Sequence, residues 1–361
     1  MSTFHPPEDI VRCFCSHPDT AEITILGEGN INDTFLVRTK ELSFVLQRIN
    51  VKVFPDPQIL INNLQHLSQH LLSLTTVTTQ RWQDAMLIPA LDGSSSIRDH
   101  KGGVWRALTY VDDSICFSQA ETLFQAEQTG WALGHFHKRL IGLEVEKMQI
   151  PLPGFHCIGN YLEQYAQLNR ESRENESPEI QSCRQTIKEN RKEALELEQT
   201  ISKKKYPARI IHGDPKIANI LFDKKSGLAT SLIDLDTVGP GLPQHDIGDC
   251  LRSVCNRGGE ESRIDETSFD LTFCEASLKG YFRAARGYLV PDESELIYNG
   301  LQAITYELGL RFFMDYLQGG LYFKCKTPED TLRKAQVQFT LLQDIIAKGN
   351  AIRQLIVQLS K

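Results

Sequence analysis

The chain lacks the features that mark membrane and secreted proteins. No run of about 18 apolar residues, the length of a membrane-spanning helix, occurs among its 361 residues. The N-terminus has Pro6, Pro7 and Glu8 where a secretory signal needs a basic start and an apolar stretch. Positive charge is scarce too: 39 Lys and Arg against 46 Asp and Glu give a net charge of −7, which disfavours nucleic acid and anionic membranes. We therefore predict a cytoplasmic protein without a membrane or nucleic-acid partner.

Paired cysteine motifs are absent as well. No two of the nine cysteines have the two-residue gap that is typical of zinc-binding and redox motifs. Reduced thiols in a reducing compartment are the simplest interpretation. Hydrophobic residues make up 41% and charged residues 24% of the chain, which is ordinary globular usage. The length allows about two or three domains.

Two regions of different character follow one another. Residues 1–112 have strand and turn patterns around one segment of helical spacing, residues 58–73. Residues 113–361 consist mainly of long amphipathic segments with a predicted hairpin at 209–235. We expect one domain in each region. The predicted strands are 21–26, 34–39, 43–49, 85–91 and 104–111, and the later helices are 120–141, a pair within 169–205, 269–288, 296–317 and 330–359.

One segment carries residues that suit phosphoryl transfer. His212, Asp214 and Asn219 lie in a polar loop between two apolar runs, and Asp234 follows at the end of another apolar run. Transfer from ATP requires a carboxylate that orients and deprotonates the acceptor hydroxyl, and oxygen ligands for Mg²⁺. Mg²⁺ retains several waters, so one Asn and one Asp suffice. Turns that only satisfy backbone groups contain similar residues, but the flanking strands and the second Asp favour the catalytic interpretation, with His212 as a structural residue of the loop.

The pattern of Asp214, Asn219 and Asp234 behind a His-Gly pair resembles the aminoglycoside phosphotransferase and choline kinase-like superfamily, and within it most closely the bacterial N-acetylhexosamine 1-kinases. The resemblance implies an α+β, protein kinase-like fold of two lobes. A small N-terminal lobe (1–112), with an antiparallel sheet and one helix, would bind the nucleotide, and a larger, mostly helical lobe (113–361) would hold the catalytic and substrate sites. The resemblance also implies ATP and Mg²⁺ as cofactors, Asp214 as the catalytic base, and Asn219 and Asp234 as metal ligands.

A further acidic segment follows the metal aspartate. In the superfamily that the chain resembles, an aspartate in the position of Asp246 holds the catalytic loop by hydrogen bonds; an N-cap is the alternative interpretation. Asp249 and Arg252 are three residues apart, which predicts an ion pair on one helix face.

The nucleotide is expected to bind against the first strands. The turn that contains Gly27 and Gly29 would cover the ATP phosphates with backbone N–H groups, with Asn32 adding a side-chain donor. A plain hairpin turn is the competing interpretation of the two glycines. Val111, at the end of the last strand of this region, is a further expected nucleotide contact.

The third strand departs from the kinase pattern. Kinases place a lysine there that pairs with the α- and β-phosphates, whereas this chain has Gln47 followed by Arg48. Because side chains alternate along a strand, only one of the two can face the nucleotide, and the position of Val45 favours Gln47. If Gln47 faces the phosphates, a lysine in its place is predicted to tighten ATP binding. The missing lysine also motivates a second hypothesis, a nucleotide-binding pseudokinase.

A helix near the C-terminus is the candidate acceptor site. Glu307, Arg311 and Asp315 recur every four residues and share one helix face, and their apolar flanks indicate burial. An exposed ladder of ion pairs is the alternative. A buried face of mixed charge suits sugar hydroxyls. We expect an ATP-dependent kinase, monomeric or homodimeric, that acts on a small molecule: an N-acetylhexosamine or related sugar at the anomeric hydroxyl, as the resemblance implies, or alternatively an aminoglycoside or amino alcohol.

Overall fold

The computed structural model describes residues 5–26, 31–74, 80–168, 176–204, 206–323 and 325–361. Within these ranges the chain has the two-lobed α+β fold that the sequence predicts: an antiparallel sheet in the N-terminal part, followed by a larger and mostly helical part. None of the helices in the described ranges is both long and apolar enough to cross a membrane.

The N-terminal sheet has the strand order β1-β2-β3-β6-β4, with β5 also pairing with β6, and all pairs are antiparallel. One face buries Phe44, Leu46 and Trp105 against the short N-terminal helix α1 (Glu8–Arg12). The opposite face, which carries Gln47, is turned towards the helical part. The strands are β1 (Glu22–Ile25), β2 (Asp33–Arg38), β3 (Ser43–Arg48), β4 (Leu87–Ile88), β5 (Ile97–Arg98) and β6 (Val104–Thr109).

Helix α2 (Pro57–Ser73) follows β3 as the periodicity predicts. The Asp56 side chain accepts a hydrogen bond from the backbone N–H of Gln58, which caps the helix start, and Pro57 occupies the first helical position, where its missing N–H costs nothing. The helix contains no Asp, Glu, Lys or Arg. It therefore brings no carboxylate of its own to the cleft.

The C-terminal part is built around α10 (Ile297–Leu317), which is buried on nearly every side. Two small sheets have the strand orders β8–β11 and β7–β9–β10. Of the hairpin predicted at 209–235, the strands β9 and β10 form an antiparallel hairpin, whereas the strand at 209–211 pairs with β11 beyond the predicted range. The remaining elements are β7 (Ser114–Ile115), α3 (Leu123–Arg139), α4 (Ile158–Leu168), α5 (Pro178–Ala194), α6 (Glu196–Lys204), β8 (Arg209–Ile211), β9 (Ile220–Asp223), β10 (Ala229–Leu232), β11 (Gly239–Gly241), α7 (Pro243–Cys255), α8 (Leu271–Ala284), α9 (Pro291–Glu295), α11 (Pro328–Ala347) and α12 (Gly349–Leu359).

Helices α3 and α8 cross with their backbones in contact. A Cβ atom on Gly130 would lie 1.9 Å from the carbonyl oxygen of Ser277, and one on Gly280 would lie 1.9 Å from that of Glu127. Only a residue without a side chain fits at either position. A Cβ atom on Gly134 of α3 would lie 2.5 Å from the carbonyl oxygen of Tyr281, so the crossing is set by three glycines, two on α3 and one on α8.

Two predicted elements differ from the structure. The single helix predicted at 330–359 is two helices, because the chain bends at Gly349, where a Cβ atom would lie 2.5 Å from the hydroxyl oxygen of Tyr298. The strand predicted at 85–91 is reduced to Leu87–Ile88, and Pro89, which has no N–H for a ladder hydrogen bond, follows it directly.

Candidate active site

The loop between β8 and β9 is held by Asp246 from the first turn of α7. Its two carboxylate oxygens accept hydrogen bonds from the backbone N–H groups of His212 (2.7 Å) and Gly213 (2.8 Å). Nε2 of His137 in α3 lies 2.9 Å from Oδ2 of Asp246. The N-cap alternative for Asp246 is wrong, since α7 begins at Pro243. Asp246 thus fixes the backbone on which Asp214 stands.

His212 has a structural position in this loop. Its Nε2 lies 2.9 Å from the carbonyl oxygen of Ile233, and its Nδ1 accepts the backbone N–H of Asp214 at 3.2 Å. Complete burial lowers the pKa of His212, so the ring is neutral and donates from Nε2 only. The ring ties the loop to the strand end that carries Asp234.

Asp214 is ionised and paired with a lysine that the sequence reasoning overlooked. Lys216 Nζ donates to Asp214 Oδ2 at 2.7 Å. Burial by itself would raise the pKa of Asp214, but the adjacent ammonium of Lys216 outweighs it and holds the pKa below its usual value. Asn219 Nδ2 donates to the Asp214 backbone carbonyl (2.7 Å) and to Oδ2 (3.1 Å). The carboxylate is therefore held as a proton acceptor in a fixed orientation.

The donor set at Asn219 and Asp234 suits Mg²⁺. The Asn219 amide nitrogen is used within the loop, and its side-chain oxygen accepts no hydrogen bond from the described residues, so that it is left for a cation. Burial, together with the carboxylates of Asp236 and Asp214, raises the pKa of Asp234 to about 7. Crowded carboxylates of this kind favour a bound cation. The described residues form no cluster of three or more His, Cys, Asp or Glu suited to a metal, and two side-chain oxygens agree with an ion that keeps its waters.

Asp234 has a left-handed backbone conformation, with φ 64° and ψ 56°. Asp and Asn are among the few residues besides Gly that adopt this conformation at modest cost. The turn directs the chain from β10 into a short 3-10 helix that carries Asp236. It therefore places two carboxylates beside the catalytic loop within three residues.

The face of the sheet that is turned towards the catalytic loop has an arginine that sequence reasoning did not identify. Arg106 of β6 forms an ion pair with Asp236 and donates to Gln47 Oε1 through Nε (3.1 Å) and Nη2 (2.8 Å). Asn32 Nδ2 donates to the other Asp236 oxygen at 2.6 Å. Arg48 points to the opposite side and pairs with Asp33 at 2.9 Å. Gln47, rather than Arg48, thus faces the catalytic loop.

Three further residues are expected to contact the nucleotide: Gly27, Gly29 and Val111. Gly27 and Gly29 lie outside the described residues. Val111 is buried in the segment after β6 and does not line the cavity between the catalytic loop and α10. Its backbone carbonyl accepts a hydrogen bond from Ser114 Oγ at 2.6 Å, which shapes the connection between the two parts of the chain.

A cavity of about 170 Å³ lies between the catalytic loop and α10. Asp214, Lys216 and Asp234 line it on one side, and Glu307 and Arg311 line it on the other. The structure therefore brings the predicted catalytic loop and two of the three predicted substrate residues to one space. Its wall also includes Phe155, Tyr322, Phe323, Asp249, Arg252, Glu260 and Lys334.

Arg311 is enclosed by aromatic rings. The rings of Phe155, Tyr161, Tyr322 and Phe323 have their centroids 5.3 to 5.8 Å from the guanidinium carbon. Its ion pair with Glu307 spans 3.8 Å, longer than a hydrogen bond, so that carboxylate does not saturate its donors. A guanidinium surrounded by ring faces is stabilised as a cation while its N–H groups stay available for a ligand.

Asp315 does not face the cavity. Its carboxylate oxygens accept the backbone N–H groups of Tyr322 (2.7 Å) and Phe323 (3.2 Å). Asp315, which was predicted to bind the substrate, is instead buried behind the cavity wall. Its carboxylate holds the turn that presents two of the rings around Arg311.

His156 connects the acceptor helix to the catalytic loop and was also overlooked. Its Nδ1 donates to Glu307 Oε1 (3.2 Å) and its Nε2 to the backbone carbonyl of Gly213 (2.8 Å). Because both partners are acceptors, the ring carries two protons. Burial would lower the pKa of His156, but the charge of Glu307 outweighs it and raises the pKa. A sequence signal is weak here, since His156 is distant from both partners along the chain.

The predicted pair of Asp249 and Arg252 is confirmed at 2.8 Å. Arg252 also contacts Glu260 at 2.8 Å, and all three side chains line the cavity. The pair therefore belongs to the wall of the site as well as to α7.

Comparison with known proteins agrees with this fold. The sequence profile of the phosphotransferase enzyme family matches residues 22–288. An aminoglycoside phosphotransferase from Alicyclobacillus acidocaldarius has a similar structure, with TM-score 0.66 and 14% identity over 99% of this chain and 98% of that one. A microcompartment-associated aminopropanol kinase has TM-score 0.59 and 15% identity over 92% and 94% of the two chains. A spectinomycin phosphotransferase, solved with ADP and spectinomycin, has TM-score 0.54 and 12% identity over 91% and 93%.

Proposed function

The chain belongs to the phosphotransferase enzyme family, and from this premise we propose that it transfers the γ-phosphoryl group of ATP to a hydroxyl of a small neutral sugar. The acceptor class that the sequence resemblance implies is an N-acetylhexosamine or related sugar. The observation that carries the proposal is the common cavity of about 170 Å³, which joins the ionised Asp214 to the mixed-charge face of α10.

The proposed reaction uses Asp214 as the base. The acceptor oxygen forms a bond to the γ-phosphorus, the bond between that phosphorus and the β–γ bridging oxygen breaks, and ADP leaves. The hydroxyl proton passes to the Asp214 carboxylate, whose lowered pKa keeps it ionised beforehand. Lys216 stands 2.7 Å from that carboxylate and adds positive charge where the phosphoryl group is transferred. Mg²⁺, held by Asn219 and Asp234, would neutralise phosphate charge.

The position of Arg311 among aromatic rings favours a neutral acceptor over a cationic one. Quaternary ammonium ligands are recognised by open aromatic cages. Here the protein's own Arg311 guanidinium occupies the space between four rings. The N–H groups of Arg311 donate to sugar hydroxyl oxygens, and the Glu307 carboxylate accepts from hydroxyl groups. The anomeric hydroxyl as the phosphorylated position follows from the sequence resemblance.

The test is acceptor-dependent formation of ADP from MgATP. The panel contains N-acetylglucosamine, N-acetylgalactosamine, kanamycin, spectinomycin, choline and ethanolamine, and ³¹P NMR of the product identifies the phosphorylated position. Turnover with an N-acetylhexosamine and an anomeric phosphate is the expected result. Turnover with the amine-bearing acceptors alone would establish the alternative kinase, and nucleotide binding without turnover on any acceptor would favour the pseudokinase hypothesis.

A further inference from the structure

The cation that is missing from β3 is present on the neighbouring strand. Gln47 and Arg106 stand directly opposite each other in the β3–β6 register. The Gln47 side-chain oxygen accepts two hydrogen bonds from the Arg106 guanidinium, and its nitrogen donates to Thr34 Oγ1 of β2 at 3.2 Å. These contacts across three strands fix the amide with its acceptor end towards the arginine. Gln47 therefore holds a positive charge in place rather than supplying one.

Arg106 lies behind the wall of the active-site cavity, next to the wall residue Asp236. Its side chain is only 1% exposed, and it pairs with Asp236, a carboxylate in the cavity wall two residues after Asp234. Asn32 engages the second oxygen of Asp236 at 2.6 Å and so orients it. Asp236 thus separates the Arg106 guanidinium from the part of the cavity next to the predicted metal ligands.

The guanidinium has unused hydrogen-bonding capacity. Nη1 of Arg106 is buried and has no partner among the described residues. A buried N–H on a charged group is costly when it has no acceptor, because the group has lost its water without gaining a partner. In Arg106 the Nε and Nη2 groups have hydrogen-bond acceptors and Nη1 has none among the described residues. Such an arginine is suited to an anionic ligand, since guanidinium groups bind phosphate oxygens through their N–H groups.

The charges of the cleft support the same assignment. Protein kinases pair a β3 lysine with a glutamate of the neighbouring helix. In this chain β3 has Gln47, and α2 carries no acidic residue, so neither member of that pair exists. The ion pair of Arg106 and Asp236 instead joins the N-terminal sheet to the catalytic segment. Cation and carboxylate are both present, on different elements.

We propose that Arg106 binds the phosphates of the nucleotide in place of a β3 lysine, with Gln47 as the residue that positions its guanidinium. The inference rests on the proposed function, since it assumes a nucleoside triphosphate in this cleft. It assigns recognition of the phosphate chain to β6 and a supporting role to β3. A purely structural Arg106, which only neutralises Asp236, is the alternative that the experiment must separate.

The experiment measures dissociation constants of ATP, ADP and adenosine by calorimetry in the presence of Mg²⁺. Adenosine keeps the base and ribose but has no phosphate, so the ratio of adenosine to ATP affinity isolates the phosphate contribution. Arg106→Met is expected to weaken ATP and ADP by about ten- to hundredfold, the value of a hydrogen-bonded charge, and to leave adenosine unchanged. Arg106→Lys restores part of the loss. Arg48→Met is the matched control on the opposite sheet face and leaves all three constants unchanged.

A folding defect is handled by a second pair of variants. Arg106→Met leaves Asp236 as a buried, unpaired carboxylate, whereas Arg106→Met combined with Asp236→Asn removes both charges. The ratio of adenosine to ATP affinity is then compared between the double variant and Asp236→Asn alone. This comparison measures the contribution of Arg106 without leaving a buried, unpaired carboxylate at position 236. An unchanged ratio in a folded Arg106 variant overturns the assignment of Arg106 while wild-type ATP binding and turnover preserve the proposed kinase. Wild-type protein that binds neither ATP nor ADP overturns both.

Discussion

The loop between β8 and β9 and the strands that face it assemble their polar groups in opposite ways. In the loop, His212, Asp214 and Asn219 lie within eight consecutive residues and contact one another directly. In the sheet, Gln47 and Arg106 are 59 residues apart and meet only through strand register. A motif whose residues are close together along the chain can be recognised from their spacing in the sequence. A motif whose residues lie on different strands forms only when the strands pair in the folded sheet.

The largest expected effect tests the local motif. Asp214→Ala removes the proton acceptor, and turnover is expected to fall by about 10²–10⁴-fold, the contribution of general-base catalysis. ATP affinity is expected to change little, because the proposed role of Asp214 is towards the acceptor hydroxyl. Steady-state kinetics with calorimetry check both. Asp223→Ala is the matched control, since Asp223 also forms an ion pair (Arg81, 2.8 Å) but lies outside the cavity. Wild-type turnover in Asp214→Ala would remove the loop from the chemistry.

The second effect tests a site assembled over longer distances. Arg311→Ala is expected to lower catalytic efficiency for the sugar by about ten- to hundredfold, because buried hydroxyl oxygens of the sugar lose their hydrogen-bond donor. The KM for ATP is expected to stay close to the wild-type value. Thermal melting accompanies the kinetics, since Glu307 loses an ion-pair partner. Arg353→Ala serves as control: Arg353 also stacks on an aromatic ring, that of Tyr298 at 3.8 Å, away from the cavity. A folded Arg311→Ala enzyme with unaltered sugar kinetics would exclude α10 from the acceptor site.

The third prediction reverses an expectation drawn from sequence. A lysine at position 47 is expected to tighten ATP binding if the strand is considered alone. The structure puts its ammonium against the buried guanidinium of Arg106, with the loss of two hydrogen bonds to a charged group. We therefore expect Gln47→Lys to destabilise the fold by about 1.5–3 kcal/mol and to weaken ATP. Gln47→Met loses the same bonds without adding charge and should be the milder change in chemical denaturation. Tighter ATP binding by a stable Gln47→Lys variant would contradict this.

The smallest effect is a pH dependence at His156. Its pKa is raised in the folded protein by Glu307, against burial and the positive charge of Arg311. A raised folded-state pKa contributes stability that is fully present below the unfolded pKa and is lost as pH rises through the folded pKa. The stability difference between wild type and His156→Gln should therefore be larger at about pH 6 than at about pH 10.

The matched control for this pH profile is the adjacent His245. Burial first, and then the charge of His156, lowers the pKa of His245 to about 3, so His245 is neutral at both values. His245→Gln should change stability by the same amount at the two pH values. A difference for His156→Gln that does not depend on pH would show that the ring is not a cation.

The fold order and the catalytic loop could be predicted because their signals are local. Strand alternation, the helical spacing at 58–73 and the loop of Asp214 need no knowledge of distant partners. Asp315 was assigned to the acceptor because helical periodicity gives its face, but periodicity does not reveal that a following turn covers that face. Arg106 had one visible signal, a charged residue inside the apolar strand Val104–Thr109. Its partner depends on register, which the sequence of one strand does not contain.

The contact of α3 with α8 has a consequence for any programme of laboratory evolution on this chain. The two helices touch through peptide groups, so no rotamer adjustment can accommodate an added methyl at Gly130 or Gly280. In a randomly mutated population screened for a new acceptor, even alanine at these positions would disappear before selection for substrate begins. The ring-bearing positions around Arg311 are half-buried or exposed, so folding tolerates variation there better. Diversity is therefore best introduced around the cavity, with the glycine crossing kept constant.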